Sequence, residues 1–524
     1  MRLAHETNAG DRTTRRLRAP ARSSRIVFSD AEPLLPKGLV VASVVMVAVA
    51  AAQAQSTVTF RQQMPNIDVG DSPAAVATAD FDGDGKLDIA VANSDSDDVS
   101  ILLGNGDGTF TDLGTTFKVD FSPVAIAVGD LNHDGKPDIV TANDLGAVNS
   151  GDLGNDVSVL LNQGRQCVGG SNGGNACTQN SDCPTSTCGS LSFAPPMPMP
   201  GMPVRDTEVG NSPEAVIVAD LDGDNIPDVA TADNFDGTVT VLKGVGDGTF
   251  TSPQSIPVGS EPMGLAAGFI DGDNNLDIVV TNMTGGDGGG GTITVIQGMG
   301  GGVFNPQAEI PVDCGVPDDC LPVAVAIAKL DNDNFADLAV ANLDGSNVTV
   351  FLGNGDLTFR LGDSFAAATD PESSTSIAAA DFDGDGKTDI ATSSVSDNTI
   401  SVLVGNGDGT FQPSQDFVVT GSTDAVSPMG IAAADFNKDG HPDLASANID
   451  DGTVAVLVNT VGLCLGDCSG DGNVTVDELV TLASIELGDA ALSACPSGLL
   501  TSDMPVTVEV VVKAVSNAIN GCKP

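Results

Sequence analysis

The residues of this chain best equipped for chemistry are aspartates in a recurring loop. One copy reads Asp80-Phe81-Asp82-Gly83-Asp84-Gly85-Lys86-Leu87-Asp88, which sets carboxylates at loop positions 1, 3, 5 and 9 around a turn with glycine at position 6. Hard oxygen donors on a compact loop suit Ca²⁺, whose larger shell tolerates irregular geometry better than that of Mg²⁺. Without a cation, carboxylates crowded in this way repel one another. The spacing returns as Asp130, Asn132, Asp134 and Asp138; as Asp220, Asp222, Asp224 and Asp228; as Asp381, Asp383, Asp385 and Asp389; and as Asp435, Asn437, Asp439 and Asp443. Together with Asp80, Asp82, Asp84 and Asp88, these are candidate calcium ligands. Two further copies depart from the pattern. Phe269 stands at position 1 before Asp271, Asp273 and Asp277, so that loop is expected to be weak or empty. Lys329 stands there before Asp331, Asp333 and Asp337, where its ammonium could replace the ion as the local positive charge, so five good propeller sites and two doubtful ones are expected.

A different loop lies near the C-terminus. Asp467, Ser469 and Asp471 occupy its positions 1, 3 and 5, Gly472 position 6, Asn473 position 7, Thr475 position 9 and Glu478 position 12. That is the order of an EF-hand calcium loop, closed by a bidentate glutamate. Leu479 to Leu487 reads as the helix that follows. A second copy around Val506 to Val510 keeps Asp503 alone among its ligand positions and is expected to bind nothing.

Other chemistries have little material. The histidines are His5, His133 and His441, and the last two sit inside Asp-rich loops, where they are expected to face solvent. A Ser-His-Asp triad, a Cys-His pair or a histidine-ligated zinc therefore has almost no scope. Paired carboxylates of the glycosidase kind are abundant, but nearly all are committed to cation loops. The absence of Trp and Tyr removes the usual sugar-stacking surfaces. No catalytic residue and no organic cofactor is assigned.

The elements that must position these loops follow from the chain's repetition. The Asp-rich loops open at positions 80, 130, 220, 269, 329, 381 and 435. Most are followed by two apolar runs and a Gly-rich turn ending in phenylalanine, as in Ala75 to Phe110. Seven units of several short strands, most about fifty residues apart, are blades of a β-propeller. An open β-solenoid is the competing reading. The last unit stops at Val454 to Val458 without its turn, while the chain offers Phe60 near its start, matching Phe110, Phe193, Phe250, Phe304, Phe359 and Phe411. The N-terminal strand is thus expected to complete the last blade and remove an open sheet edge. Residues 165–203, rich in Gly and Cys, read as a disulfide-stapled insertion in the second unit.

The chain ends set the compartment. Arg12, Arg15, Arg16, Arg18, Arg22, Arg25 and Lys37 precede an uncharged run from Gly38 to Ala52 and the small-x-small sequence Ala52-Gln53-Ala54. Residues 1–54 therefore read as a signal peptide with a long basic lead; a single-span anchor is the alternative, though the run is short for a bilayer core of ~30 Å. Ten cysteines fall into three even groups: Cys167, Cys177, Cys183 and Cys188; Cys314 and Cys320; Cys464, Cys468, Cys495 and Cys522. In an exported chain this fits local disulfides, with zinc the alternative for the first group. The formal charge of −50 becomes more acidic once the leader is removed, and such a surface repels nucleic acid and anionic lipid.

The recurrence of DFDGDGKxD and GNGDGTF in order resembles the FG-GAP or VCBS repeat, the blade of integrin α-chain propellers and of many exported bacterial proteins. The resemblance covers residues 55 to about 460 and implies calcium bound between two strands of a blade. The segment 464–524 resembles a dockerin, which implies a cohesin partner, although four cysteines and a degenerate second loop depart from that family. The expectation is an all-β, seven-bladed propeller over 55–463 with a small α-helical EF-hand domain after it, secreted or at the cell surface. Its expected role is noncatalytic adhesion to an extracellular protein or polysaccharide, with calcium mainly structural. A polysaccharide-binding or lyase-type propeller tethered by the dockerin-like module is the alternative.

Overall fold

Each repeat opens on a run of alanine, valine and other small residues, and these runs form the innermost strands of the computed structural model. The structure describes residues 57–144, 155–168, 176–178, 187–194, 207–285, 290–313, 320–367, 374–421, 426–461 and Leu479. The leader 1–54 and the EF-hand residues Asp467, Ser469, Asp471, Asn473, Thr475 and Glu478 lie outside the described residues.

In blade 1, Pro73–Ala79, Asp88–Asn93, Asp98–Gly104 and Phe110–Asp112 form one antiparallel sheet in chain order. Six more sheets repeat this order. The first strands of blades 2 to 7 are Pro123–Gly129, Pro213–Ala219, Ser260–Gly268, Pro322–Ala328, Ser374–Ala380 and Pro428–Ala434. Each touches the next, and the last touches the first, so the seven blades close a ring. The approach is tight enough to demand glycine: a Cβ on Gly264 would lie 2.7 Å from the Val323 carbonyl oxygen, and one on Gly430 the same distance from that of Ala74. Second strands are covered on both sides, and all six residues of Asp88–Asn93, Asp337–Asn342 and Asp443–Asn448 are buried. This is why they read as unbroken apolar runs without a period of two.

The ring closes as the two chain ends suggest. Phe60–Gln62 pairs antiparallel with Thr453–Asn459, Phe60 opposite Asn459, and Ile67 lies opposite Val454. The Phe60 ring meets Phe417 edge-on with centroids 5.0 Å apart. The insertion leaves between Asn155–Gly164 and Ser192–Ala194. It carries a two-stranded ladder, Cys167 opposite Cys188, that its composition did not suggest. A disulfide joins Cys177 to Cys188, and Cys320 is also disulfide-bonded.

A polar spine runs through the far ends of the second strands, where Asn93, Asn143, Asp233, Asn282, Asn342 and Asn448 are completely buried. The amides of Asn93, Asn143, Asn282, Asn342 and Asn448 donate to hydroxyl or carboxylate oxygens of the neighbouring third strand or hairpin. The carbonyl of Asn143 accepts from Thr141 and that of Asn448 from Ser446, both at 2.9 Å. In blades 1, 4 and 5 the residue two places earlier is Val91, Val280 or Val340, which has no proton to give. The Oδ1 atoms of Asn93, Asn282 and Asn342 accordingly have no partner. Val280→Thr supplies the missing donor, whereas Val279→Thr buries a hydroxyl on the opposite face. Unfolding in denaturant should find the first variant about 2 kcal/mol more stable than the second, and equal destabilisation would refute the pairing.

Asp233 is the acid among these amides, and burial raises its carboxyl to about 6 despite donors from Thr240, Thr231 and Thr238. A raised folded-state pKa means this group's stabilisation is complete below the unfolded value near 4 and is lost as pH rises through 6. Asn at this position can accept from Thr231 as Asn143 does from Thr141, and donate to Thr238 and Thr240. Asp233→Asn should therefore unfold at a higher temperature than wild type at pH 7.5 and lose that advantage at pH 4.5.

Candidate metal centres

The Asp-rich loops join the first and second strands, on the same face of the ring as the turns between third and fourth strands. Their aspartates divide into three physical roles. At position 1 the carboxylate gathers the turn: Asp80 accepts N–H bonds from Gly83 and Gly85 at 2.8 Å and from Asp84 at 3.0 Å. Asp220 and Asp381 do the same with three amides each, while Asp130 and Asp435 take two. At positions 3 and 5 the side chains each accept the amide two residues on, as in Asp82 from Asp84 and Asp84 from Lys86, both at 3.0 Å. Asn132 and Asn437 repeat the position-3 bond with Asp134 and Asp439.

Position 9 works differently. Asp88 is buried and splits its oxygens between two segments, one accepting from Phe81 at 2.9 Å and the other from Gly104, at the end of the third strand, at 2.8 Å. The same pair of bonds holds Asp138, Asp228, Asp277, Asp337, Asp389 and Asp443. Burial pushes Asp88, Asp389 and Asp443 up to about 7, against those backbone donors. It pushes Asp138 and Asp228 up to about 6, and raises Asp277 and Asp337 as well. Sequence spacing marks this residue as a ligand but not as a strand-to-strand latch. The available signal was that position 9 stays Asp in the two copies where position 1 is Phe269 or Lys329.

Groups able to hold a metal ion converge in four blades. In Asp80, Asp82 and Asp88, in Asp220, Asp222 and Asp228, in Asp331, Asp333 and Asp337, and in Asp381, Asp383 and Asp385, one oxygen from each residue lies within 4.8 Å of the others. Asp224, which belongs to the third loop's spacing, is held instead by Lys243. In blades 2 and 7, Asn132 and Asn437 leave fewer acids, and no such acidic group forms among the described residues. The donor set fits a hard cation, and the protein's own cations show where positive charge is favoured. Arg165, from the edge of the insertion, sits 2.6 Å from Asp82. Lys243 contacts Asp222 and lies 2.9 Å from Asp224. Lys86 and Lys136 pair with Asp84 and Asp134 at 2.7 and 2.6 Å, and Lys387 with Asp385. Arg165 and Lys243 lie outside the loops and were not legible as site residues. Lys329 makes no ion pair among the described residues, so it does not stand in for an ion as its position suggested. His133 is exposed, but His441 is half-buried with its Nδ1 shielded, contrary to expectation.

A family model described as an FG-GAP-like repeat matches residues 80–141, 220–280, 329–392 and 393–446. The chain thus carries FG-GAP-like repeats, built into a seven-bladed all-β propeller. No curated protein matches the sequence. Among solved structures it is similar to virginiamycin B lyase from Staphylococcus aureus, at 14% identity and TM-score 0.44, covering 76% of this chain and 99% of that one. It is also similar to an Agrocybe aegerita lectin described as recognising non-reducing terminal N-acetylglucosamine, at 19% identity and TM-score 0.40, covering 66% and 80%. A third is a complex titled BBS1N with ARL6DN, at 13% identity and TM-score 0.46, covering 77% and 97%. At this distance the likenesses carry no functional argument.

Blade 4 separates the latch from metal binding, because Asp277 keeps both backbone bonds at 3.0 and 2.9 Å while its loop forms no acidic group. Asp277→Asn turns one acceptor toward a backbone N–H as a donor. In chelator it should cost about 2–3 kcal/mol in denaturant unfolding; a loss under about 0.5 kcal/mol would mean the carboxylate is not structural.

Proposed function

We propose that this chain is an exported, noncatalytic binding propeller whose blades are stabilised by calcium. A propeller built of FG-GAP-like repeats fits a binding role. The observation that carries the calcium assignment is the convergence of carboxylate oxygens within 4.8 Å on compact loops whose position-1 aspartates already gather the surrounding amides. Oxygen-only donors on an irregular loop favour Ca²⁺ over Mg²⁺, which demands near-octahedral order. The ion's role is structural: it offsets repulsion among acids that the backbone holds together. Free calcium at one hundred times a site's Kd contributes about 2.7 kcal/mol through that site.

The remaining parts complete the reading. Residues 1–54 direct export and are removed, 55–463 form the propeller, and 464–524 form a calcium-binding, dockerin-like module whose fold is helical. The partner is an extracellular protein or polysaccharide met at the cell surface or after secretion, and the function is adhesion. A cohesin-like protein is the candidate for the terminal module.

The reading is tested by dialysing the mature chain against chelator and following thermal unfolding as CaCl₂ or MgCl₂ is restored. Calcium should raise the midpoint by several degrees at concentrations where magnesium does little; no calcium-dependent shift would overturn the assignment. The chain is then screened against polysaccharides and surface proteins, with the same wells assayed for cleavage products. Retention without products supports adhesion, and reproducible products would replace it with a polysaccharide-degrading activity.

A further inference from the structure

On the face that carries the Asp-rich loops and the third-to-fourth-strand turns, three consecutive blades differ from the rest. Blade 3 has Val245 and blade 4 has Met299 where blades 1, 5 and 6 have Asn105, Asn354 and Asn406. Blade 4 also has Val303 in place of Thr109, Thr358 or Thr410, and Phe269 in place of the position-1 aspartate. Blade 5 has Phe335 at position 7, where blades 1, 2 and 6 have Lys86, Lys136 and Lys387. Val245, Met299, Val303, Phe269 and Phe335 are 49%, 58%, 55%, 57% and 43% exposed. Single exposed apolar residues are ordinary. Five at otherwise polar positions, on one face of neighbouring blades, are the kind of surface that marks an interaction site.

Within this sector, blades 4 and 5 also differ in charge from blades 1, 2, 3 and 6. In blades 1, 2, 3 and 6 a carboxylate at position 3 or 5, or both, meets Arg165, Lys86, Lys136, Lys243 or Lys387. Among the described residues, no lysine or arginine pairs with the loop carboxylates of blades 4, 5 and 7, and of these only blades 4 and 5 also carry the apolar residues. The donors to Asp271 and Asp273 are all neutral: Asp271 accepts from the Gln297 side-chain amide at 2.8 Å and the Asp273 backbone N–H at 3.1 Å, and Asp273 accepts from the side-chain amide and the backbone N–H of Asn275, both at 2.7 Å. The acids of blade 5 can be neutralised by an ion of their own, but Asp271 and Asp273 form no such group. Exposed apolar side chains therefore share this face with carboxylates that no lysine or arginine pairs.

We infer that this face of blades 3 to 5 docks a basic, amphipathic segment of a partner protein, with apolar side chains against Phe269, Met299 and Phe335 and Lys or Arg against Asp271 and Asp273. Charge complementarity selects this occupant. A second copy of the chain brings its own net charge of −50 and is repelled. The inference rests on the binding role proposed above and deepens it by naming the surface and the chemistry of the partner.

The test uses the full mature chain in calcium buffer and a labelled synthetic helix of leucine and lysine, with a control peptide in which serine replaces leucine. The variant Phe269→Asp/Met299→Asn/Phe335→Asn installs residues that other blades carry at the same positions. Wild type should bind the Leu/Lys peptide about tenfold more tightly than the variant, as expected when central apolar anchors are removed, even though the variant carries one more negative charge. The control peptide should bind both proteins equally weakly. A second variant, Asp271→Asn/Asp273→Asn, leaves the apolar residues in place and should weaken binding and flatten its salt dependence. Equal affinity of wild type and both variants, or equal affinity for the two peptides, would reduce the interaction to bulk charge attraction and overturn the inference. Concentration-dependent dimers in sedimentation that vanish in the first variant would assign the face to self-association and also overturn it. If the calcium shift and the partner screen succeed while these variants bind normally, this inference fails alone; if both also fail, the binding reading falls with it.

Discussion

Each blade hangs on a carboxylate buried between three strands. The aspartate that begins the second strand takes one backbone N–H from the start of its own loop and one from the end of the third strand, seven times over. Burying a carboxylate is costly unless its lone pairs are satisfied, and charge-assisted bonds to backbone donors are among the strong ones. Because both donors are main-chain atoms, the neighbouring side chains are free to change. Position 1 tolerates Phe269 and Lys329, and position 3 tolerates Asn132 and Asn437, while the latch persists. The loop's outline is therefore held by main-chain donors, and the acids that could hold a cation can vary from blade to blade without altering the fold.

The same loops also hold blade to blade. Gly248 in the blade 3 turn donates to the Leu131 carbonyl of the blade 2 loop at 3.2 Å, and Gly409 in blade 6 to Leu330 of blade 5 at 2.9 Å. Blades 2 and 7 have no such glycine turn, and carry Asn162 and Asn459 where blade 1 has Gly104. Asn162 reaches the Phe81 carbonyl and Asn459 the Phe382 carbonyl, each at 2.8 Å. An amide side chain thus replaces a missing turn in the two blades whose third-to-fourth connection is unusual, one interrupted by the insertion and the other by the chain ends. Inter-blade contact is maintained by different chemistry at the same carbonyl.

Much of this was legible in the sequence because propeller repeats are local and periodic. Seven loop openings and seven phenylalanines gave the blade number and the closing strand at Phe60, since both follow from counting residues along a line. What was not legible depends on groups brought together from afar. Arg165 lies 83 residues from Asp82 in the chain, and Lys243 reaches Asp222 and Asp224 from just beyond the third strand of its blade, Thr238–Leu242. The partner of the buried Asn282 carbonyl is missing because of Val280, a distinction between valine and threonine that hydrophobic patterning does not register. His441 looked solvent-facing because its loop is polar, but the neighbouring blade shields it.

The antiparallel pairing of Phe60–Gln62 with Thr453–Asn459 gives the ring a defined mechanical weak point. Thr460 donates to the Thr59 carbonyl at 2.7 Å, immediately beyond the pair Phe60 and Asn459, so the incoming and outgoing chain segments leave this ladder at the same end. Tension between them loads the bonds one after another, as in an opening zip, instead of all together as in shear. A load applied through the two flanking segments would peel the seventh blade first and leave six blades intact, whereas a load entering through any other pair of loops must pull against complete sheets.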